Sequence, residues 1–231
     1  MRFRVACFAA AISGCLASVN IAQAATIFSD FGAGNAFDHS FSWIVSGPAS
    51  SSGIAFTPAM PFTSVVNADV TQIDIAMANH VLDSSTVTSA TLKLFVNTGG
   101  AFGTLLGTFS VNNILNINGG GPTVLSVTGI SGVHLNAGGN YYLQASASGD
   151  TDDGGWYVNS IGVTGTLLIL RSDDPGHNIL QDGTLGAFAI IGDVTTPTVP
   201  LPGALPLFVS GLGALGLLGW RRKKKAAALA A

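Results

Sequence analysis

Gln72-Ile73-Asp74-Ile75-Ala76-Met77 alternates apolar residues with polar or small ones at every step. An extended chain sends successive side chains to opposite faces, so Ile73, Ile75 and Met77 share one face and Gln72, Asp74 and Ala76 the other. The same period recurs further along. Leu92, Leu94 and Val96 alternate with Thr91, Lys93 and Phe95, and Tyr141, Leu143, Ala145 and Ala147 with Tyr142, Gln144 and Ser146. Between these runs lie turn-forming clusters: Asn97-Thr98-Gly99-Gly100, Asn118-Gly119-Gly120-Gly121-Pro122, Asn136-Ala137-Gly138-Gly139-Asn140 and Asp182-Gly183. No stretch between residues 26 and 196 carries a convincing helical period. The pattern predicts an all-β fold, a β-sandwich domain of jelly-roll-like type, over residues 25–195.

Composition supports this and narrows the partners. Of 231 residues 48% are hydrophobic and only 9% charged, with 30 glycines and no glutamate, which excludes a coiled coil or a long-helix protein. The formal charge of −3 hides a division: seven of the nine bases lie at the two ends, and residues 25–199 hold only Lys93 and Arg171 against twelve aspartates, a charge of −10. A surface this acidic repels phosphate backbones, so no nucleic-acid partner is expected. It suits the solubility of an exported domain.

Export is written at the N-terminus. Arg2 and Arg4 precede the apolar stretch Val5 to Leu16, and Ala22-Gln23-Ala24 supplies a small-x-small site. Residues 1–24 therefore read as a signal peptide, cut by signal peptidase between Ala24 and Ala25. Ile12-Ser13-Gly14-Cys15 offers a competing lipoprotein-type cut at Cys15, but the apolar stretch before it is short. Cys7 and Cys15 are the only cysteines, and both leave with the leader, so no disulfide, thiolate metal site or cysteine nucleophile is expected in the exported domain.

The C-terminal end predicts a second membrane element. A Pro/Thr-rich linker over 196–203 leads into twenty largely apolar residues, Leu201 to Trp220, enough for a helix of about 30 Å. Arg221, Arg222, Lys223, Lys224 and Lys225 follow at once and belong on the cytoplasmic side. The prediction is a single transmembrane helix with the β domain outside. Val199-Pro200-Leu201-Pro202, the glycine-rich apolar stretch and the terminal basic cluster resemble the PEP-CTERM sorting signal of Gram-negative bacteria, with Leu201 where that family carries glutamate. The resemblance covers about residues 197–225, of which 201–225 form the transmembrane sorting segment with its basic tail. It implies recognition and cleavage by an exosortase-type membrane protease, a transient inner-membrane intermediate, and a final place at the cell surface or in the extracellular matrix, where exopolysaccharide is the implied partner.

Ala55-Phe56-Thr57-Pro58, Leu135 to Leu143, Gly155-Trp156-Tyr157-Val158-Asn159 and Gly186-Ala187-Phe188 resemble the choice-of-anchor domains, most nearly the R type. That likeness implies an extracellular β domain and carries over no assigned enzymatic activity. The residues themselves agree. An HExxH zinc motif is impossible without glutamate, no GxSxG elbow occurs, and His39, His80, His134 and His177 are scattered, reading as turn or surface residues. Asp150, Asp152 and Asp153 are weak calcium candidates outside any EF-hand pattern. No cofactor is expected. Trp43, Tyr142, Trp156 and Tyr157, the polar-tipped aromatics, are the candidate sugar-stacking residues, although Trp156 and Tyr157 must face opposite ways on one strand. The expected function is that of a non-catalytic surface or matrix protein; a carbohydrate-binding module or a polysaccharide-acting hydrolase is the alternative.

Overall fold

The structure, a computed structural model, describes residues 24–80, 88–175 and 178–195. Residues 1–23, the sorting motif, the apolar stretch, the basic cluster and His177 lie outside the described residues. Among those described there is no helix, so none long and apolar enough to cross a membrane. A compact unit ends at Thr195, where the Pro/Thr-rich stretch begins.

The described chain is all-β. Its strands are β1 (Ala24–Ser29), β2 (Phe37–Ser46), β3 (Phe56–Thr63), β4 (Ala68–Asn79), β5 (Thr88–Asn97), β6 (Phe102–Ile114), β7 (Thr123–Thr128), β8 (His134–Leu135), β9 (Asn140–Ala147), β10 (Asp153–Asn159), β11 (Thr164–Arg171), β12 (Ile179–Thr184) and β13 (Phe188–Val194). Every pairing between named strands is antiparallel. β4 organises the first layer. β13 and then β10 run end to end along one of its edges, β7 and β8 along the other, with β1 outside β13 and β2 outside β10. The second layer runs β12-β11-β3-β9-β5-β6. The two meet at one point, the pairing of Ser46 on β2 with Phe56 on β3, pinned by the Ser46 hydroxyl, which donates to Ile54 O and accepts from Phe56 N.

The main core draws on both layers, which makes the fold sandwich-like: Ile73, Ile75, Met77, Trp156 and Phe188 from the first, Met60, Leu92, Leu94, Leu143 and Leu167 from the second. Thus the three residues that share a face of Gln72–Met77 are all core residues. The other face of β4 is covered as well. Ala76 and Ala78 are buried in a second cluster with Phe31, Tyr157, Ala187 and Ala189, and Asp74 is buried with Ser126 Oγ (2.6 Å) and Gln72 Nε2 (2.7 Å) donating to its carboxylate. β4 is therefore a central strand covered on both faces, where period two alone predicts one solvated side.

The entry to β9 shows how a glycine-rich turn is fixed. Gly138 takes φ +74°, Gly139 N donates to Asn136 O (3.0 Å), and the Tyr141 phenol oxygen accepts the Asn136 N–H at 2.8 Å. A side chain at 138 would strain that turn.

Candidate functional site

β2 and β10 are paired regularly from Ser46–Asp153 to Ser42–Tyr157, and then the register breaks: the next pair is Phe37–Asn159. β10 advances two residues while β2 advances five, so three extra residues of β2 are thrown out of the ladder. Irregularities of this kind re-aim side chains at sheet edges. Phe41 sits in this segment and is 50% exposed, whereas Trp43, two residues on, is buried.

Trp43 is held firmly. Its indole Nε1–H donates to Thr184 O at 2.8 Å, and its ring fills the space left by Gly183, where an added Cβ would come within 2.8 Å of Trp43 Cζ2. Phe41 meets this ring edge-on, with centroids 5.4 Å apart and planes at 83°. Two cavities flank the pair. The larger, about 420 Å³, is lined by Asp38, Phe41, Trp43, Val158, Asn159, Ser160, Gly162, Gly183 and Thr184. The smaller, about 230 Å³, lies towards Ile44, Phe56, Pro58, Ile169 and Gln181 and shares Phe41 and Trp43 with the first. Together they form a groove where β2 and the β11–β12 pair come close, with aromatic side chains in the middle and polar groups at the rim.

The walls are built by side-chain bonding. Asn159 is buried, and its amide closes the 160–163 turn: Nδ2 donates to Val163 O (2.8 Å) and Leu185 O (2.9 Å), and Oδ1 accepts from Val163 N (2.8 Å). The Ser40 backbone N–H donates to the Asp38 carboxylate (2.8 Å) and holds its pKa below the ordinary value. On the other side, the Arg171 guanidinium lies 5.4 Å from the Phe56 ring centre while its Nε donates to Asp173 (2.9 Å). Those bonds hold the Asp173 carboxyl below its ordinary range. The groove thus offers an exposed ring, a rigid indole, one carboxylate and several amide and hydroxyl groups.

The structure separates the four aromatic residues that the sequence singled out. Trp156 has no exposed surface; its indole N–H donates to Ala187 O (3.0 Å) and its ring meets Phe188 in the main core. Tyr157 does face the opposite side, as its neighbour requires, but is buried there, its hydroxyl 3.0 Å from His80 Nε2. Tyr142 lies in a third cluster, on the outer face of the second layer against Phe102. All four rings are buried in three different places, so they form no common stacking platform; only Trp43 reaches the groove. The reason is shared. The polar tips of both indoles and of Tyr157 find partners within the protein, so these rings can be buried without an unsatisfied donor. Phe41 and Phe56, which lack polar tips, are the groove residues that sequence reasoning passed over. Alternation puts Phe41 and Trp43 on one face, so no signal in the sequence marks Phe41 as the exposed one.

Asp150, Asp152 and Asp153 do not assemble a ligand set. Asp152 Oδ2 accepts the Gly149 N–H (2.8 Å), Asp153 accepts the Ser51 hydroxyl, and among the described residues no group of three or more His, Cys, Asp or Glu side chains is placed to hold a metal. The first bond closes the turn at 149–152, and the second ties Asp153 to the loop at Ser51. Of the histidines, His134 is a surface residue whose Nδ1 lies 2.8 Å from Asp69, and His39 is exposed and stacks on Phe37 at 4.4 Å. His80 departs from the surface reading: it is half-buried beside Tyr157, and burial holds its pKa below the ordinary value against the opposing charge of Asp153. Ala24 and Ala25 both lie in β1, paired with Asp193 and Gly192. No family model matches the chain, and no curated protein matches it.

Proposed function

We propose that this chain is an exported, non-catalytic protein of the cell surface or extracellular matrix, and that its jelly-roll-like sandwich domain binds neutral polysaccharide in the groove around Phe41. The observation that carries the reading is the Phe41 ring, half exposed between two cavities and set edge-on against a fixed indole. Pyranose rings with equatorial hydroxyls present flat C–H faces that stack on aromatic rings, while their hydroxyls need amide, hydroxyl and carboxylate partners at the rim. Cavities on both sides of one ring suit consecutive sugars of a chain. The charge of −10 over residues 25–199 disfavours a polyanionic glycan and leaves a neutral one.

Binding is favoured over hydrolysis by the acids present. Paired-carboxylate hydrolysis takes two acids across the bond; the larger cavity is lined by one carboxylate, Asp38, and the smaller by none. Delivery to the surface rests on the leader ending at Ala24, the Val199–Pro202 motif, the apolar stretch and the basic cluster. In this reading signal peptidase releases the N-terminus. A transmembrane helix then holds the chain in the inner membrane until an exosortase-type protease cleaves near the prolines.

Affinity electrophoresis of the full chain tests the binding. Hydroxyethyl cellulose in the gel is expected to retard the wild type, alginate is not, and Phe41→Ala is expected to abolish the retardation without altering the circular dichroism spectrum. Equal mobility of wild type and Phe41→Ala in the neutral glycan overturns the proposal.

A further inference from the structure

The acid of the β domain is unevenly placed. None of the twelve aspartates falls between residues 84 and 149, a stretch that contains β5 to β9 and a single base, Lys93. One end of the second layer is therefore almost without charge, in a domain that elsewhere repels copies of itself. β6 forms that end. Among the described residues it pairs only with β5, so no described strand is hydrogen-bonded along its outer edge, although β7 of the first layer lies near it.

β6 is also the longest described strand, at 13 residues, and holds neither a charged residue nor a proline. Exposed edges are ordinarily protected by such residues, or by being short. The other edge of the same layer, β12, carries Asp182, and the edge of the first layer at β2 carries Asp38. β7 is uncharged but only 6 residues long. The register of β6 against β5 shifts at three places, between Ile114 and Val111, Gly107 and Leu105, and Leu105 and Phe102, and runs unbroken over the five residues from Gly107 to Val111. Beside that run Leu105 is 48% exposed, and the half-buried Phe102 packs on Phe95 with centroids 4.7 Å apart. An uncharged edge with a regular run of five residues beside the exposed Leu105 is the template on which strand addition works.

We propose that β6 is a homotypic interface, at which two copies of this chain pair antiparallel, edge to edge, and extend the second layer across both. A two-fold arrangement sets the same strand against itself and keeps the two sets of aspartates apart. It is independent of the glycan groove, which lies at the β2 and β12 edge.

Sedimentation velocity and amide hydrogen exchange on the full chain, in a micelle of sugar-free zwitterionic detergent, test the pairing. Between about 2 and about 200 µM the protein is expected to pass from monomer to dimer, with exchange at residues 103–111 slowing in step. Leu105→Lys is expected to weaken the dimer about tenfold or more, whereas Leu180→Lys, at a somewhat more exposed apolar site on β12, leaves it unchanged. The proposal is overturned if the chain stays monomeric, if it associates without protection of residues 103–111, or if Leu180→Lys has the effect expected of Leu105→Lys.

Discussion

Asp30 follows β1 directly and has no exposed surface. Its Oδ1 accepts the Phe188 N–H at 2.7 Å, its own N–H donates to Phe188 O at 3.2 Å, and Oδ2 has no hydrogen-bond partner. Burial pushes its carboxyl up to about 7, against the lowering effect of the Phe188 bond. Between pH about 4 and about 7 the unfolded chain gives up this proton while the folded chain keeps it, so raising the pH over that window favours unfolding. We expect Asp30→Asn to remove this part of the slope: the fall in Tm from pH about 5 to about 8 should be smaller than in the wild type. Identical slopes for the two proteins contradict the assignment. Nothing in Ser29-Asp30-Phe31 marks this aspartate in the sequence, because its burial comes from Phe188, 158 residues away. The aromatic residues teach the same lesson. A polar-tipped ring is a candidate for an exposed sugar platform, and here the tip is what allows Trp43, Trp156 and Tyr157 to be buried.

At the scale of elements, the strands with uninterrupted period two were the legible ones. Ile73, Ile75 and Met77 on β4, and Tyr141, Leu143 and Ala145 on β9, lie in the main core as their alternation requires. What alternation could not give was the cover on the outer face of β4, nor the three extra residues of β2 that expose Phe41, since both depend on which strand lies alongside. The groove was therefore half legible: Trp43 from its residue type, Phe41 only from the register. Asn159 shows how an element end supports the site. Its side chain makes three hydrogen bonds that close the turn over 160–163, part of the larger cavity's wall. Replacing it by alanine should lower unfolding stability by about 3 kcal/mol, at roughly 1 kcal/mol per net bond. The urea midpoint measures this, and a change within error would show that water replaces those bonds.

Across the whole molecule, charge and hydropathy divide the chain, with seven of the nine bases at the ends and all twelve aspartates between. In a host with an exosortase-type protease, intact-mass measurement is expected to find a mature protein that begins at Ala25 and ends near residues 199–203. Neutralising Arg221, Arg222 and Lys223 to Lys225 should impair that processing. A mature protein retaining Trp220 and the basic tail would contradict the sorting route while leaving the glycan groove untouched. The groove is the central claim, and the three tryptophans allow it to be read directly. Trp43 lines both cavities, Trp156 lies in the core, and Trp220 lies outside the β domain. Titration of the ¹⁵N-labelled full chain with cellohexaose, in a sugar-free detergent, is predicted to shift the Trp43 indole N–H resonance saturably and to leave the Trp156 and Trp220 resonances in place. If cellohexaose moves none of the three, or moves Trp156 and not Trp43, the groove around Phe41 is not a glycan site.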